Sequence, residues 1–139
     1  MLPAPSQPII KVLIVEDEFL VAADLEATLE DLGFTPIGIA PDAKTAAELA
    51  IHQPDVAFVD LNLRDGPTGP SIAQRLVDDY GVAVIFVTAN PRQLNGKLNG
   101  ALGVITKPLS AMAIEPVINY AIQRRRGETT QPPRLLMSF

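Results

Sequence analysis

Cysteine is absent from the 139 residues, so the chain holds no disulfide scaffold, no thiolate zinc site and no thiol nucleophile. Histidine is nearly absent as well. The single His52 excludes a multi-histidine metal site and leaves little room for a Ser-His-Asp triad. Positive charge is in deficit: 11 Lys and Arg stand against 16 Asp and Glu, a net −5. That balance suits a nucleic-acid binder poorly, because such binding needs clustered cations. Long apolar runs are missing too. The longest, around Val82 to Val87, falls far short of the roughly 20 residues that cross a bilayer. Met1 to Gln7 is Pro-rich and lacks the basic and apolar regions of a signal peptide. The expectation is a soluble cytoplasmic protein that engages neither membrane nor nucleic acid.

What remains is an ordinary globular composition. Apolar residues make up 47% of the chain and mean hydropathy is +0.22, enough to bury one core. Four short β-branched runs stand out: Val12 to Val15, Val56 to Val59, Val82 to Val87, and Val104-Ile105, with a weaker fifth at Pro36 to Ile39. They are continuous rather than alternating, the pattern of strands covered on both faces.

Helical spacing fills the gaps. Phe19 to Leu32 sets Val21, Leu25, Leu29 and Leu32 on one face, and Gly33 stops it. Asp42 caps a second helix, Ala43 to His52. Ser71 to Tyr80 forms a third, and Ser110 opens a last one with a stripe of Ile114, Val117, Ile118, Ala121 and Ile122. The β/α alternation predicts a doubly wound α/β domain around a five-stranded parallel sheet. Its bounds are 9–126, with an N-terminal tail 1–8 and a C-terminal tail 127–139 too short for an output domain.

In open parallel sheets, ligands bind beyond the carboxyl ends of the strands. Those ends deliver Glu16-Asp17-Glu18, then Asp60 with Leu61-Asn62, then Thr88-Ala89, and finally Thr106-Lys107-Pro108. Gathering carboxylates at one rim costs free energy unless a cation sits among them. Mg²⁺ selects such oxygen ligands and needs only one or two protein carboxylates beside phosphate oxygens. A carboxylate is also a nucleophile toward phosphorus, and a lysine with a hydroxyl suits the equatorial oxygens of a transferring phosphoryl group.

The set Glu16-Asp17, Asp60, Thr88 and Lys107-Pro108, in order at four strand ends, resembles the receiver domain of bacterial two-component response regulators. The resemblance covers about residues 9 to 126. It implies a flavodoxin-like fold with strand order 2-1-3-4-5. It also implies Asp60 as acceptor of a phosphoryl group from a sensor histidine kinase or histidine phosphotransfer protein. Asp17, Glu16, Asp60 and the backbone carbonyl of Asn62 would hold Mg²⁺. Lys107 would pair with the phosphoryl group, Thr88 would donate its hydroxyl to it, and the Lys107-Pro108 bond would be cis. The protein would be a stand-alone phosphorylation-controlled binding module for a downstream partner rather than an enzyme with a turned-over substrate.

Departures from the family pattern carry expectations of their own. Val104 stands where many receivers place Tyr or Phe, so an aromatic switch is absent. Nineteen positions separate Thr88 from Lys107, and Pro91, Asn95, Gly96, Asn99 and Gly100 disfavour helix there, so the fourth helix is expected short or irregular. The fragment Phe86-Val87-Thr88-Ala89 resembles an atypical alphaproteobacterial receiver subgroup with a Phe-Ala-Thr-Gly signature, and the texture resembles the receiver half of general-stress anti-anti-sigma regulators.

Two other readings compete: a degenerate receiver acting as a constitutive interaction module, and an aspartyl-nucleophile phosphotransferase. The dehalogenase-type version of the latter needs a second Asp where Asn62 stands. Glu18 reads as first-turn helix chemistry, His52 as a solvated helix end, and Arg124-Arg125-Arg126 as cations on a helix C-terminus. The apolar face of the last strand and helix, with Leu135, Leu136, Met137 and Phe139 beyond Pro132-Pro133, suggests a homodimer or partner surface.

Overall fold

The computed structural model describes residues 8–138. Five parallel strands form one sheet: β1 (Lys11–Val15), β2 (Thr35–Ala40), β3 (Val56–Val59), β4 (Ala83–Thr88) and β5 (Gly103–Thr106), in the order β2-β1-β3-β4-β5. Three helices connect β1 through β4, α1 (Phe19–Asp31), α2 (Ala43–Ala50) and α3 (Gly69–Tyr80), and α4 (Ala111–Arg125) follows β5. The flavodoxin-like order implied by the receiver-domain resemblance is the one found.

Side chains of successive strand residues point to opposite faces, and both faces are covered. Leu13, Val15, Ala57, Val59, Val84 and Phe86 pack in one core with residues of α2 and α3. Val12, Ile14, Val56, Phe58, Ile85 and Ile105 pack in the other with residues of α1 and α4. This two-sided burial is why the strands read as unbroken apolar runs.

Element ends differ from the sequence reading at several points. The second helix stops at Ala50 and does not reach His52; Gln53 turns left-handed at φ 55° just beyond. The third starts at Gly69, two residues ahead of Ser71, because Pro70 in its first turn lacks only an N–H that would have no partner there. Asp42 does cap α2, its side chain accepting from the Thr45 N–H at 2.9 Å. Gly33, at φ 89°, ends α1 in the left-handed conformation that favours glycine. Helical spacing places Val21 on the core face of α1, yet it is exposed, while Ala22 and Leu29 are the buried residues. The helix is thus rotated so that Val21 borders the strand-end rim.

Between β4 and β5 there is a single 3-10 turn, Pro91–Leu94, followed by left-handed Asn95 and Asn99. Leu94 and Ala101 are buried and pin this irregular segment to the α2/α3 core. Beyond α4, Leu136 is buried and Met137 makes an antiparallel bridge to Val104 of β5. Phe139 lies outside the described residues.

Candidate functional site at the strand ends

The carboxyl ends of β1, β3 and β5 bring Glu16, Asp17, Asp60 and Lys107 together. Glu16 and Asp60 are buried. The Lys107 ammonium lies between them, 2.5 Å from Glu16 Oε1 and 2.8 Å from Asp60 Oδ2. The other Asp60 oxygen, Oδ1, accepts from the Leu61 N–H at 2.7 Å. Glu16 Oε2 accepts from the Asp17 N–H at 3.0 Å and from the Glu18 N–H at 3.2 Å, so Glu16 also binds donors at the start of α1. Glu18 itself occupies the N-cap position without a capping bond, and its exposed carboxylate is 4.0 Å from Lys107.

Electrostatics follow from this packing. Burial raises the Glu16 pKa, aided by the Asp60 charge, while the Lys107 hydrogen bond and the Glu18 N–H oppose the rise without cancelling it. Burial works to lower Lys107, but hydrogen bonds and charges from Asp60 and Glu16 outweigh it and hold the ammonium above its ordinary value. The lysine is therefore firmly cationic.

Carboxylate oxygens of Glu16, Asp17 and Asp60 lie within 4.8 Å of one another. Three negative charges against one ammonium leave an all-oxygen donor set in excess of cation, which fits a hard divalent ion. The Asn62 side chain is not free to join that set. Its amide exchanges two hydrogen bonds with Gln93 of the 3-10 turn, at 2.9 and 2.8 Å. Only the backbone of Asn62 is left to act as a ligand.

Thr88 ends β4 and is buried. Its Oγ1 accepts from the Asn90 N–H at 3.1 Å, leaving its own proton to donate elsewhere. β3 and β4 run in register, Val59 beside Phe86, so Asp60 and Thr88 leave neighbouring strands at the same rim. The Lys107 N–H donates to the Thr88 carbonyl at 2.9 Å, tying the lysine loop to that strand end, and the Lys107-Pro108 bond is cis.

Two residues that the sequence reading passed over shape the site. Gln93 clamps Asn62. Gly69 opens α3 directly against the backbone of Asp60: a Cβ built there would stand 2.0 Å from the Asp60 carbonyl oxygen and 2.6 Å from Leu61 Cα. Nothing local to the Thr68-Gly69-Pro70 triplet marks contact with Asp60. His52 and Arg124 to Arg126 lie away from the rim. Arg125 bonds Asp55 at 2.6 Å and the Gly81 carbonyl at 3.0 Å.

Beside the acidic rim, between α1 and α4, runs a cleft of about 510 Å³ reaching from Asp60 and Lys107 past Leu20, Leu25 and Ile114. Phe19, Leu20 and Met112 are 74%, 81% and 87% exposed, an unusual concentration of apolar surface next to buried charge.

A doubly wound α/β fold of strand order 2-1-3-4-5, with acidic residues, a threonine and a lysine at its strand ends, defines the class of signal receiver domains. The sequence matches the response regulator receiver domain across residues 12–119, and the chain belongs to that family. The phyllosphere-induced regulator PhyR of Methylorubrum extorquens is 36% identical over 115 residues, 81% of this chain and 43% of that protein. The signal receiver domain of a modulated diguanylate cyclase from Desulfovibrio desulfuricans superimposes with a TM-score of 0.79 at 31% identity, covering 88% of this chain and 100% of its own. The anti-anti-sigma factor PhyR from Bartonella quintana gives 0.73 at 29% identity, over 87% of this chain and 50% of its own. The chain spans about half the length of the curated relatives it matches. Among the described residues, no helix is long and apolar enough to cross a membrane.

Proposed function

We propose that Asp60 accepts a phosphoryl group from a histidine kinase or histidine phosphotransfer protein, and that the modified domain signals by binding another protein. One observation carries this reading: the Asp60 carboxylate is buried, held by Lys107 and the Leu61 N–H, and set within 4.8 Å of the Glu16 and Asp17 oxygens. An Asp60 oxygen attacks phosphorus, the O–P bond forms as the donor's N–P bond breaks, and the released imidazole keeps the electron pair and takes a proton. Lys107 offsets charge on the phosphoryl oxygens, and the Thr88 hydroxyl donates to one of them. Mg²⁺ held by Glu16, Asp17, Asp60 and the Asn62 carbonyl would supply further charge neutralisation at the same place.

The exposed Phe19, Leu20 and Met112 lie where a donor must approach Asp60, and their apolar surface suits a helical face of that partner. Of the rival readings, a constitutive module gives no account of the carboxylate–lysine packing. A dehalogenase-type phosphotransferase lacks its second carboxylate, because Asn62 stands there and is bonded to Gln93.

The test is labelling with a small phosphodonor, with and without Mg²⁺, followed by mapping of the modified residue. Label is expected on Asp60 alone, dependent on Mg²⁺, absent from Asp60→Asn and much reduced in Asp17→Asn. Equal labelling of Asp60→Asn at another residue would overturn the assignment.

A further inference from the structure

The loop from β3 to α3 leaves Asp60 through Leu61, Asn62 and Leu63. Leu61 and Leu63 are buried, while Asn62 between them is exposed. Asp60 Oδ1 faces two N–H groups at the start of this loop, that of Leu61 at 2.7 Å and that of Asn62 at 3.5 Å. A change of charge at Oδ1 is therefore felt at Asn62. On its far side the loop is anchored to the start of α2. The Arg64 N–H donates to the Pro41 carbonyl at 3.1 Å, the Arg64 guanidinium bonds Asp42, and the Asp65 carboxylate accepts from the Ala43 N–H at 3.0 Å.

Between those anchors and the site, the Asn62 side chain is held by Gln93. Its amide donates to Gln93 Oε1 at 2.9 Å and accepts from Gln93 Nε2 at 2.8 Å, a reciprocal pair. Gln93 belongs to the Pro91–Leu94 turn, whose own backbone bonds are local: the Gln93 N–H donates to the Asn90 carbonyl, and the Asn95 N–H to the Arg92 carbonyl. Buried Leu94 packs this turn on the core, and the amide pair ties it to the Asp60 loop. The pair lies at the surface, where water competes for both amides and the net gain per bond is small. It opens more readily than the charged anchor at Asp42.

We propose that Gln93 is a positioning residue that reports the state of Asp60 to the 91–94 turn: its amide pair with Asn62 is closed around the free carboxylate and opens when the site is occupied. The α2 anchors fix the far side of the loop, so a movement started at Oδ1 is taken up at Asn62 and passes to Gln93. Thr88 also reaches this segment, but through a single bond from the Asn90 N–H at 3.1 Å, ahead of the turn. The pair acts on the turn itself with two bonds. Coupling of this kind is reciprocal, so a turn already released from Asn62 makes the Asp60 site easier to occupy. The inference rests on the reading of Asp60 as phosphoacceptor and adds the route by which its state leaves the site.

Titration of the ¹⁵N-labelled protein with beryllofluoride, at saturating Mg²⁺, tests it. In the wild type the Leu61, Gln93 and Leu94 amide resonances are expected to shift together. In Gln93→Ala the Leu61 shift should persist, with its midpoint lowered about fivefold, while the Leu94 shift is lost. Asn62→Ala should lose the Leu94 shift equally, and the double variant should lose nothing more, as residues acting through one contact do. Arg92→Ala, exposed in the same turn and outside the pair, should behave as wild type. A Leu94 shift that survives in Gln93→Ala would assign the route to Thr88 and Asn90 and overturn the proposal. So would an unchanged midpoint, or loss of the shift in Arg92→Ala. A wild-type Leu61 resonance that ignores beryllofluoride would instead overturn the reading of Asp60 beneath it.

Discussion

Lys107 separates two buried carboxylates that would otherwise repel at short range, so its removal acts on stability as well as on chemistry. Lys107→Ala leaves Glu16 and Asp60 without their shared donor, a loss of about 1–3 kcal/mol. Denaturant melts should show that deficit, and it should narrow when Mg²⁺ is added, because a divalent cation substitutes for the missing charge. The labelling rate should also fall, by roughly ten- to hundredfold, as a charge stabiliser is removed from the transferring group. Gly69 is a second residue with a sharp expectation. A methyl there meets backbone rather than a yielding side chain, so Gly69→Ala must displace either the Asp60–Leu61 peptide or the start of α3. Overpacking of this kind costs about 1–3 kcal/mol. Equilibrium unfolding and phosphodonor labelling should both register the change, since the displaced peptide carries the proposed phosphoacceptor Asp60.

At the scale of elements, α2 is tied down at its N-terminus by charge. The Thr45 backbone N–H and the Arg64 guanidinium hold the Asp42 carboxylate down to about 2. A carboxylate lowered in the folded state contributes stability that is complete above its unfolded value near 3.8 and is lost as pH falls toward 2. Asp42→Ala should therefore lower the Tm at neutral pH, and the difference from wild type should shrink between about pH 4 and pH 2; thermal melts across that range check it. The 91–103 segment is the opposite kind of element. It has one 3-10 turn and a few turn hydrogen bonds where a full helix would carry a ladder. Val104 is buried but small, so movement of Thr88 toward a phosphoryl group has no ring to draw inward. Reshaping of 91–103 is the expected readout. Amide exchange there should be much faster than in β4 and β5, and should change when beryllofluoride is bound; strong protection in the free protein, unchanged by beryllofluoride, would argue against this readout.

Over the whole molecule, two features stand out around the sheet. Buried charge gathers at the carboxyl rim beside exposed Phe19, Leu20 and Met112, while the outer edge of β5 carries the strand from beyond α4. Both faces meet at β5, which runs from Gly103 under Leu136 to Thr106 beside Lys107. Substituting Leu20 and Met112 by Asp should slow phosphoryl transfer from a protein donor and leave labelling by a small phosphodonor unchanged. A comparison of the two rates separates partner docking from chemistry.

Much of this was legible in the residues alone. Unbroken β-branched runs predicted strands buried on both faces, because a parallel sheet must be covered twice. The acidic, hydroxyl and lysine residues fell at the carboxyl ends of the strands, the rim where open parallel sheets bind ligands. Glycine and asparagine in 91–103 foretold a failed helix, since their backbone preferences act locally. Tertiary structure decided what depends on contacts distant in sequence. Lys107 reaching both Glu16 and Asp60, Gln93 clamping Asn62, and Gly69 making room for the Asp60 carbonyl all join elements that no local pattern links. Val21 turned outward for the same reason: helical periodicity defines a stripe, but the sheet it packs against sets the rotation. The apolar segment after Pro133 suggested a partner surface, and only the edge of β5, with the notch at Gly103, seats Leu136 within the same chain. An edge strand must pair with something, and which segment it pairs with is settled by shape in three dimensions rather than by order along the chain.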